Sequence, residues 1–305
     1  MNRHTYTAID IAKDSLQICD DKINTNISNN PASIRKLCEK LVKDSNACVV
    51  CEATGGYERL LMSSLHEKGI AVTLVAPSRV RAFAKSEGIK AKTDPIDAKM
   101  LLKFAQEKHP KITPPPAPQT EQLVMLMDRR NQRTTDRTKE KNRLEKCSPQ
   151  MKTIIEESIA YIDSEIKKLD SQIRATVASC EKLKEQSKTL QSIKGVANIT
   201  AWTILTYMPE ITQLDRNSIV ALAGVAPFNR DSGKSCKKRR ILGGRAKIRR
   251  CLFMAAKTAA IHNEHIKTYV DGLMQRGKPY KVAIVAAMRK LLIHIQSLLK
   301  KLEYA

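Results

Sequence analysis

The chain has 305 residues, of which 54 are Lys or Arg and 31 are Asp or Glu, so its formal net charge is +23. This length predicts two or three domains with a sizeable buried core, and the excess of positive charge indicates a polyanionic partner such as nucleic acid. The chain contains no run of about 18 apolar residues, and its N-terminus lacks a signal-peptide core, so we expect a cytoplasmic protein with no membrane partner.

The first third of the chain alternates strand and helix patterns. Short apolar or alternating runs predict strands over residues 5–11, 15–19, 47–51 and 71–75. Helices are predicted from Pro31, from Gly56 to Lys68, and after Pro77, which together indicate an α/β domain with a mixed sheet over residues 1–109. Cys48 and Cys51 form a CxxC without a second ligand pair at zinc spacing, so we expect buried reduced thiols there.

Four carboxylates stand near the ends of apolar runs in this domain: Asp10, Glu52, Asp94 and Asp97. Asp10 lies between two isoleucines of a strand, so its side chain points to the opposite face from theirs. Glu52 ends a buried strand, at the position where open α/β sheets build ligand sites. Asp94 and Asp97 share one helical turn. Because four neighbouring carboxylates repel one another unless a divalent cation neutralises them, one interpretation is a site for two metal ions.

Each acid also has an ordinary structural explanation. Asp94 precedes Pro95 and would cap a helix that has proline at its first position, and Asp97 would then lie in the first helical turn, where a negative charge is favourable. Asp10 can be a solvated strand residue, and Glu52 can be a helix-entry residue. The spacing of the residues alone leaves both interpretations open.

A proline-rich segment separates this domain from a helical region. Residues 110–118 contain five of the twelve prolines, which predicts an extended linker. Helices are predicted over residues 119–185, where apolar residues recur in steps of four and three at Ile155, Ile159, Ile162, Ile166, Leu169, Ile173 and Val177. This spacing is the a/d seam of a helical pair or coiled coil. We expect the seam to serve dimerisation, with an intramolecular hairpin as the alternative.

The last region, residues 186–305, is predicted to be mainly helical and carries most of the net positive charge. It holds 22 Lys or Arg against 6 acids, whereas residues 1–118 hold 18 against 13. Gly195 lies in a Gly-Val turn between helical segments, which is either the phosphate-holding turn of a helix-hairpin-helix or an ordinary loop glycine. The cations between residues 230 and 250 are predicted to bind nucleic acid: Arg230, Lys234, Lys237, Lys238, Arg239, Arg240, Arg245, Lys247, Arg249 and Arg250.

The motifs AIDIAK, CEATGGY and KTDPIDA, in this order, and residues 221–256 resemble the RuvC-like DEDD insertion-sequence transposases related to the Piv DNA invertase. Better-known members of that family are described as bridge-RNA-guided recombinases. The resemblance implies an RNase H-like fold for the first domain and a magnesium-binding quartet formed by the four acids. It implies two Mg²⁺ ions, for which Mn²⁺ can substitute. It also implies a DNA substrate, a structured guide RNA and a homo-oligomer, either a dimer or a tetramer.

Ser232 lies in an Asp-Ser-Gly turn among the cations. On its own it has the pattern of a turn serine, but the resemblance implies that it is the nucleophile, with Ser235 as a rival in the same segment. A serine hydroxyl needs a base or a metal ion to take its proton, and no triad stands beside Ser232 in the sequence. The acids of the first domain would therefore activate it, either within one chain or, as the resemblance favours, across a dimer.

Three functional hypotheses remain in competition. The leading one is an RNA-guided DNA recombinase that forms a phosphoserine intermediate. The second is a metal-dependent nuclease of the Holliday-junction type, with water as its nucleophile. The third is a non-catalytic nucleic-acid-binding scaffold whose acids only cap helices. The aromatic content of 4% argues against stacking on unpaired bases and favours recognition of duplex shape and backbone.

Overall fold

A computed structural model describes residues 4–88, 94–115, 118–228, 240–241 and 243–303, and it describes Asp94, Phe228 and Arg240 by their backbone alone. The chain divides into two compact units, Met1–Pro116 and Ala117–Ala305. Each unit has its own hydrophobic core.

The first unit contains a mixed five-stranded sheet. Its strands are β1 Thr5–Ile11, β2 Ser15–Cys19, β3 Asn24–Ser28, β4 Ala47–Glu52 and β5 Ala71–Val75, in the order β3-β2-β1-β4-β5. β1 pairs antiparallel with β2 and parallel with β4, and β4 pairs parallel with β5. The four predicted strands are confirmed. β3 was not predicted, because its sequence NTNIS is polar and it is an exposed edge strand.

Helices cover both faces of the sheet. They are α1 Pro31–Leu41, α2 Arg59–Glu67, α3 Pro77–Ser86 and α4 Asp94–Lys108. On one face, Ile9 and Cys51 pack against α1 and α2. On the other face, Ala8 and Val50 pack against α3 and α4, from which Leu101 is buried. The alternation of residues along β1 and β4 therefore decides which side chains point towards α4.

The proline-rich segment begins against the sheet. The Thr113 N–H donates to the Val72 carbonyl at 2.8 Å, and the Leu74 N–H donates to the Thr113 hydroxyl at 3.0 Å. β5 is an edge strand with unpaired backbone groups, which these bonds satisfy. The first compact unit extends to Pro116 and so includes most of the proline-rich segment.

The second unit is built from helices. They are α5 Pro118–Leu144, α6 Pro149–Ala178, α7 Glu181–Gln191, α8 Asn198–Tyr207, α9 Arg216–Leu222, α10 Ala246–His262, α11 Glu264–Gln275 and α12 Tyr280–Glu303. A short 3₁₀ turn, Pro209–Thr212, follows α8, and two short strands, β6 Pro227–Phe228 and β7 Arg240–Ile241, pair antiparallel. Apolar residues of α8, α10 and α12 form the core.

α5 and α6 pack against each other as a helical hairpin. The predicted seam of α6 is buried at Ile162, Ile166 and Ile173 within the single chain. Ion pairs also join the two helices, such as Arg137 to Asp163 at 2.7 Å. The seam of this chain is thus occupied by α5, as expected for antiparallel helices joined by a short connection.

α12 is the one helix, among the residues that the structure describes, that is long and apolar enough to cross a membrane by length and composition. Half of its most apolar window is buried inside the protein. Its residues Ile284, Leu291 and Ile295 belong to the core of the second unit, which accounts for its apolar character.

Candidate functional site

Asp10 and Glu52 lie on adjacent parallel strands at the same level of the sheet. The register of β1 and β4 pairs Ile9 with Cys51, and Asp10 and Glu52 are the next residues along these strands. Because Ile9 and Cys51 face α1 and α2, the two acids point to the opposite face, which α4 covers. Both carboxylates are therefore directed to the same side, at the carboxyl ends of their strands.

The direction of α4 brings its first turn to this same end of the sheet, where β1 and β4 have their carboxyl ends. The C-terminal part of α4 lies at the opposite end of the sheet, near the start of β1. There the Gln106 amide donates to Asp21 at 2.8 Å, and the His109 ring, just after α4, lies 6.2 Å from the Tyr6 ring. From Tyr6 to Asp10 the strand advances about 13 Å. From Gln106 back to Asp97 the helix advances about 14 Å. The start of α4, with Asp94 and Asp97, is thus at the level of Asp10.

Three of the four predicted acids are partly buried: Asp10, Glu52 and Asp97. The side chain of Asp94 lies outside the described residues. Among the side chains that are described, no three His, Cys, Asp or Glu residues already lie close enough together to hold a metal ion. Asp10, Glu52 and the start of α4 nevertheless lie at the same end of the sheet, and carboxylate oxygens are the ligands that Mg²⁺ prefers.

Glu58 organises the loop that follows Glu52, a role that the sequence analysis missed. Its carboxylate accepts hydrogen bonds from the Thr54 hydroxyl at 2.5 Å, the Gly56 N–H at 2.8 Å and the Thr54 N–H at 3.2 Å. Burial alone would raise the pKa of Glu58, but the bonds from Thr54 and from backbone N–H groups outweigh it and lower the pKa. The signal in the sequence is an acid shortly after a Thr-Gly-Gly turn, where several N–H groups need an acceptor.

We expect Glu58→Gln to lower the free energy of unfolding by about 1 kcal/mol at neutral pH, because it weakens partly exposed bonds to a charged acceptor. A lowered pKa in the folded state means that this stabilisation is present above the ordinary value of 4.5 and is lost as the pH falls through the folded value. The difference between wild type and variant should therefore vanish in acid. Denaturant unfolding, repeated from neutral pH down to below the folded pKa of Glu58, measures this difference in the free energy of unfolding. Glu39→Gln, at an exposed position of α1, is the control.

The described residues on either side of Ser232 approach each other at one point of the second unit. Ser232, Ser235, Arg230, Lys234, Lys237, Lys238 and Arg239 lie outside the described residues. At the base of this segment, Gly224 and Gly244 both have positive φ, and a Cβ on Gly244 would come within 2.2 Å of the Gly224 nitrogen. The Arg245 N–H also donates to the Leu222 carbonyl at 2.8 Å. Backbone contact between two glycines thus closes the base of the segment, directly before β6 and after β7.

Two predicted nucleic-acid-binding cations, Arg245 and Lys247, have partners on other helices or turns of the second unit. Arg245 donates to the Tyr207 carbonyl at 2.7 Å and pairs with Glu210. Lys247 pairs with Asp128 and lies 4.2 Å from the centre of the Tyr207 ring. These contacts attach the start of α10 to α5 and α8.

The other described cations differ in their surroundings. Arg249 donates to the Gly243 carbonyl at 2.6 Å and so supports the glycine contact at the base of the segment. Arg250 is exposed. For Arg240 only the backbone is described, where it pairs with Phe228.

Gly195 lies in the turn between α7 and α8, a position compatible with both interpretations of the sequence. Its φ is +105°, and a Cβ at this position would lie 2.7 Å from the Ala259 Cβ. Both the backbone conformation and the close approach to α10 require glycine. The residue therefore holds the turn against α10, whatever ligand the turn binds.

Comparisons with known proteins agree over most of the chain. A family model of the DEDD IS110 type, described as "Transposase", matches residues 7–152. A second, described as "Transposase IS116/IS110/IS902 family", matches residues 187–271. The pilin gene-inverting proteins of Moraxella bovis and Moraxella lacunata are each 29% identical to this chain over an alignment of 303 residues. The alignment covers 94% of this chain and 93% of theirs.

An α/β unit with acids at one end of its sheet, a basic helical unit and these matches together define an enzyme of DNA recombination, for which DNA is the substrate. Members of this class commonly depend on a divalent metal ion. The chain belongs to the IS116/IS110/IS902 family of transposases.

Proposed function

We propose that the chain is an RNA-guided DNA recombinase of a bacterial insertion sequence, with an RNase H-like first domain over residues 1–109. Residues 110–118 would be the linker, residues 119–185 the helical oligomerisation segment and residues 186–305 the basic domain that carries the nucleophile. The observation that supports this most is that Asp10 and Glu52 face α4 at one end of the sheet, level with the start of α4.

Asp10, Glu52, Asp94 and Asp97 would hold Mg²⁺, or Mn²⁺ in its place. A pair of bound ions would neutralise charge that develops on the phosphate in the transition state. These residues suit such an ion by their chemistry, since all four are carboxylates and they come from three separate segments of the chain. Glu58 would keep the loop after Glu52 in place through its bonds to Thr54 and Gly56.

Ser232 would be the nucleophile. Its Oγ would bond to the phosphorus of a DNA phosphodiester while the bond from phosphorus to the leaving deoxyribose oxygen breaks, and that oxygen would take up a proton. In strand exchange, a hydroxyl of another strand would attack the phosphoserine and release the serine. One P–O bond forms for each that breaks, so the exchange needs no external energy source.

The acids and Ser232 would meet in a homo-oligomer, a dimer or a tetramer. Because α5 covers the seam of α6 within the chain, a second copy would need another face of this hairpin. α6 carries such a face, with three exposed apolar residues at Met151, Ile154 and Tyr161. Assembly of the site within one chain is the alternative.

Two other functions remain as alternatives. A nuclease of the Holliday-junction type would use the same acids with water as the nucleophile, and Ser232 would then be structural. A binding scaffold would need neither the acids nor the serine for chemistry. The interactions of Arg245, Lys247 and Arg249 within the chain favour neither alternative, because a structural role for cations at the base of the segment is compatible with all three functions.

A structured guide RNA is the part of the proposal with the most direct test. We expect a single defined RNA to co-purify with the wild-type chain, and we expect ribonuclease treatment before the assay to abolish recombination between two plasmids. Sequencing of the bound nucleic acid and plasmid recombination measure these outcomes. Recombination that persists after ribonuclease treatment would reject RNA guidance while leaving the recombinase itself intact.

A further inference from the structure

Two large apolar side chains stand exposed on one face of α10. Met254 is 60% exposed and Ile261 is 67% exposed. They are seven residues apart and therefore lie on the same side of the helix, with Thr258 between them and Arg250 one turn before Met254. Because the two side chains share a face, both can contact the same partner.

The turn between α7 and α8 borders this face. A cavity of about 390 Å³ is lined by Lys194 and Gly195 from the turn and by Met254 and Thr258 from α10. The contact of Gly195 with α10 brings the two backbones together on one side of the cavity. The turn and the exposed face of α10 thus form one continuous surface, which we name the hairpin–α10 surface.

The charge of this surface has one sign. Residues 192–198 and 246–262 contain no Asp or Glu. Lys194 is exposed on the turn, and Arg250 and Lys257 are exposed on α10. A surface that combines exposed cations with exposed apolar side chains matches a partner that combines phosphates with apolar sugar and base edges.

We propose that the hairpin–α10 surface binds the minor groove of duplex DNA, with Met254 and Ile261 inserted against deoxyribose and base steps and Lys194 and Arg250 on the flanking phosphates. Apolar side chains used in this way are typical of proteins that bind and bend DNA at the minor groove. The rise of the helix separates Met254 and Ile261 by about 10.5 Å along its axis, about three base-pair steps. The proposal is independent of the acids and of Ser232.

DNA fits this surface better than RNA does. The minor groove of an RNA helix is lined by 2′-hydroxyl groups. Met254 and Ile261 would remove water from these hydroxyls without replacing their hydrogen bonds, which is unfavourable. Deoxyribose has only C–H groups at the same position. The surface would therefore distinguish the DNA substrate from an RNA duplex.

The double variant Met254→Gln with Ile261→Thr tests the proposal in the full-length chain. Binding of a fluorescent DNA duplex should weaken about tenfold, because apolar burial is lost. Binding of an RNA duplex of the same sequence should not change. The salt dependence of DNA binding should also stay the same, whereas Lys194→Gln should reduce its slope by about one. A 2-aminopurine base in the DNA should brighten with wild type and not with the double variant.

The control is Met274→Gln with Val282→Thr, which replaces side chains that are 44% and 52% exposed in the same unit. It should leave DNA binding unchanged. If the double variant is unstable, Ile261→Thr alone serves as the test. Unchanged DNA binding by the surface variants, an equal loss on RNA, or a change only in oligomeric state would overturn the proposal. Duplex binding is measured without strand cleavage, so this result is separate from a failure of the recombinase chemistry.

Discussion

Ser232→Ala is expected to abolish the covalent complex between protein and DNA and to reduce recombination by at least about 10⁴-fold, because removal of a nucleophile eliminates the step that needs it. DNA binding should be unaffected, since only one hydroxyl is lost. The measurement is a denaturing gel of labelled DNA incubated with wild type and with the variant. Peptide mapping of the wild-type adduct should place the phosphoester on Ser232.

Ser235→Ala is the matched control, because it removes a hydroxyl from the same cationic segment three residues further on. It should retain both the adduct and recombination. An adduct that persists in Ser232→Ala and disappears in Ser235→Ala would transfer the role to Ser235. Strand cleavage by Ser232→Ala at the wild-type rate, with no adduct in either protein, would instead favour the nuclease that uses water.

Apolar and alternating runs predicted four strands of the sheet because β1, β2, β4 and β5 each bury most of their side chains. The same signal was absent in β3, whose position is set by its pairing with β2. The spacing of the α6 seam predicted a helical partner but could not choose between α5 and a second chain. A sequence period shows which face of a helix is apolar and does not identify what covers it.

Contacts between distant segments limited the prediction of the site. Lys247 pairs with Asp128, which lies 119 residues away in the sequence, and a run of cations gives no sign of such a partner. Glu58 acts through the backbone N–H groups of Thr54 and Gly56, so its role depends on the shape of the loop. In contrast, Asp10 and Glu52 lie side by side because both stand at the carboxyl ends of their strands, and a sequence pattern can locate the ends of strands.

Asp10→Asn is expected to reduce strand cleavage by on the order of 10³-fold in Mg²⁺, because loss of one carboxylate ligand removes several kcal/mol of transition-state stabilisation. DNA binding should be retained, since the net charge becomes more positive. Cleavage and binding are measured on the same labelled duplex over a titration of Mg²⁺ and Mn²⁺. A variant that recovers part of its activity at high Mn²⁺ would connect the loss to metal binding.

Asp21→Asn, in the turn between β2 and β3, is the matched control. Asp21 accepts a hydrogen bond from Gln106 at the opposite end from Asp10, so the same substitution there should leave cleavage unchanged. Wild-type cleavage by Asp10→Asn would show that this acid is not a metal ligand and would favour the binding scaffold. An equal loss in both variants would indicate damage to the sheet, and denaturant unfolding of the two proteins distinguishes that outcome. Asp10 and Asp21 lie at opposite ends of the sheet. Only a site confined to the carboxyl ends of β1 and β4 therefore predicts that the two substitutions differ in their effect on strand cleavage.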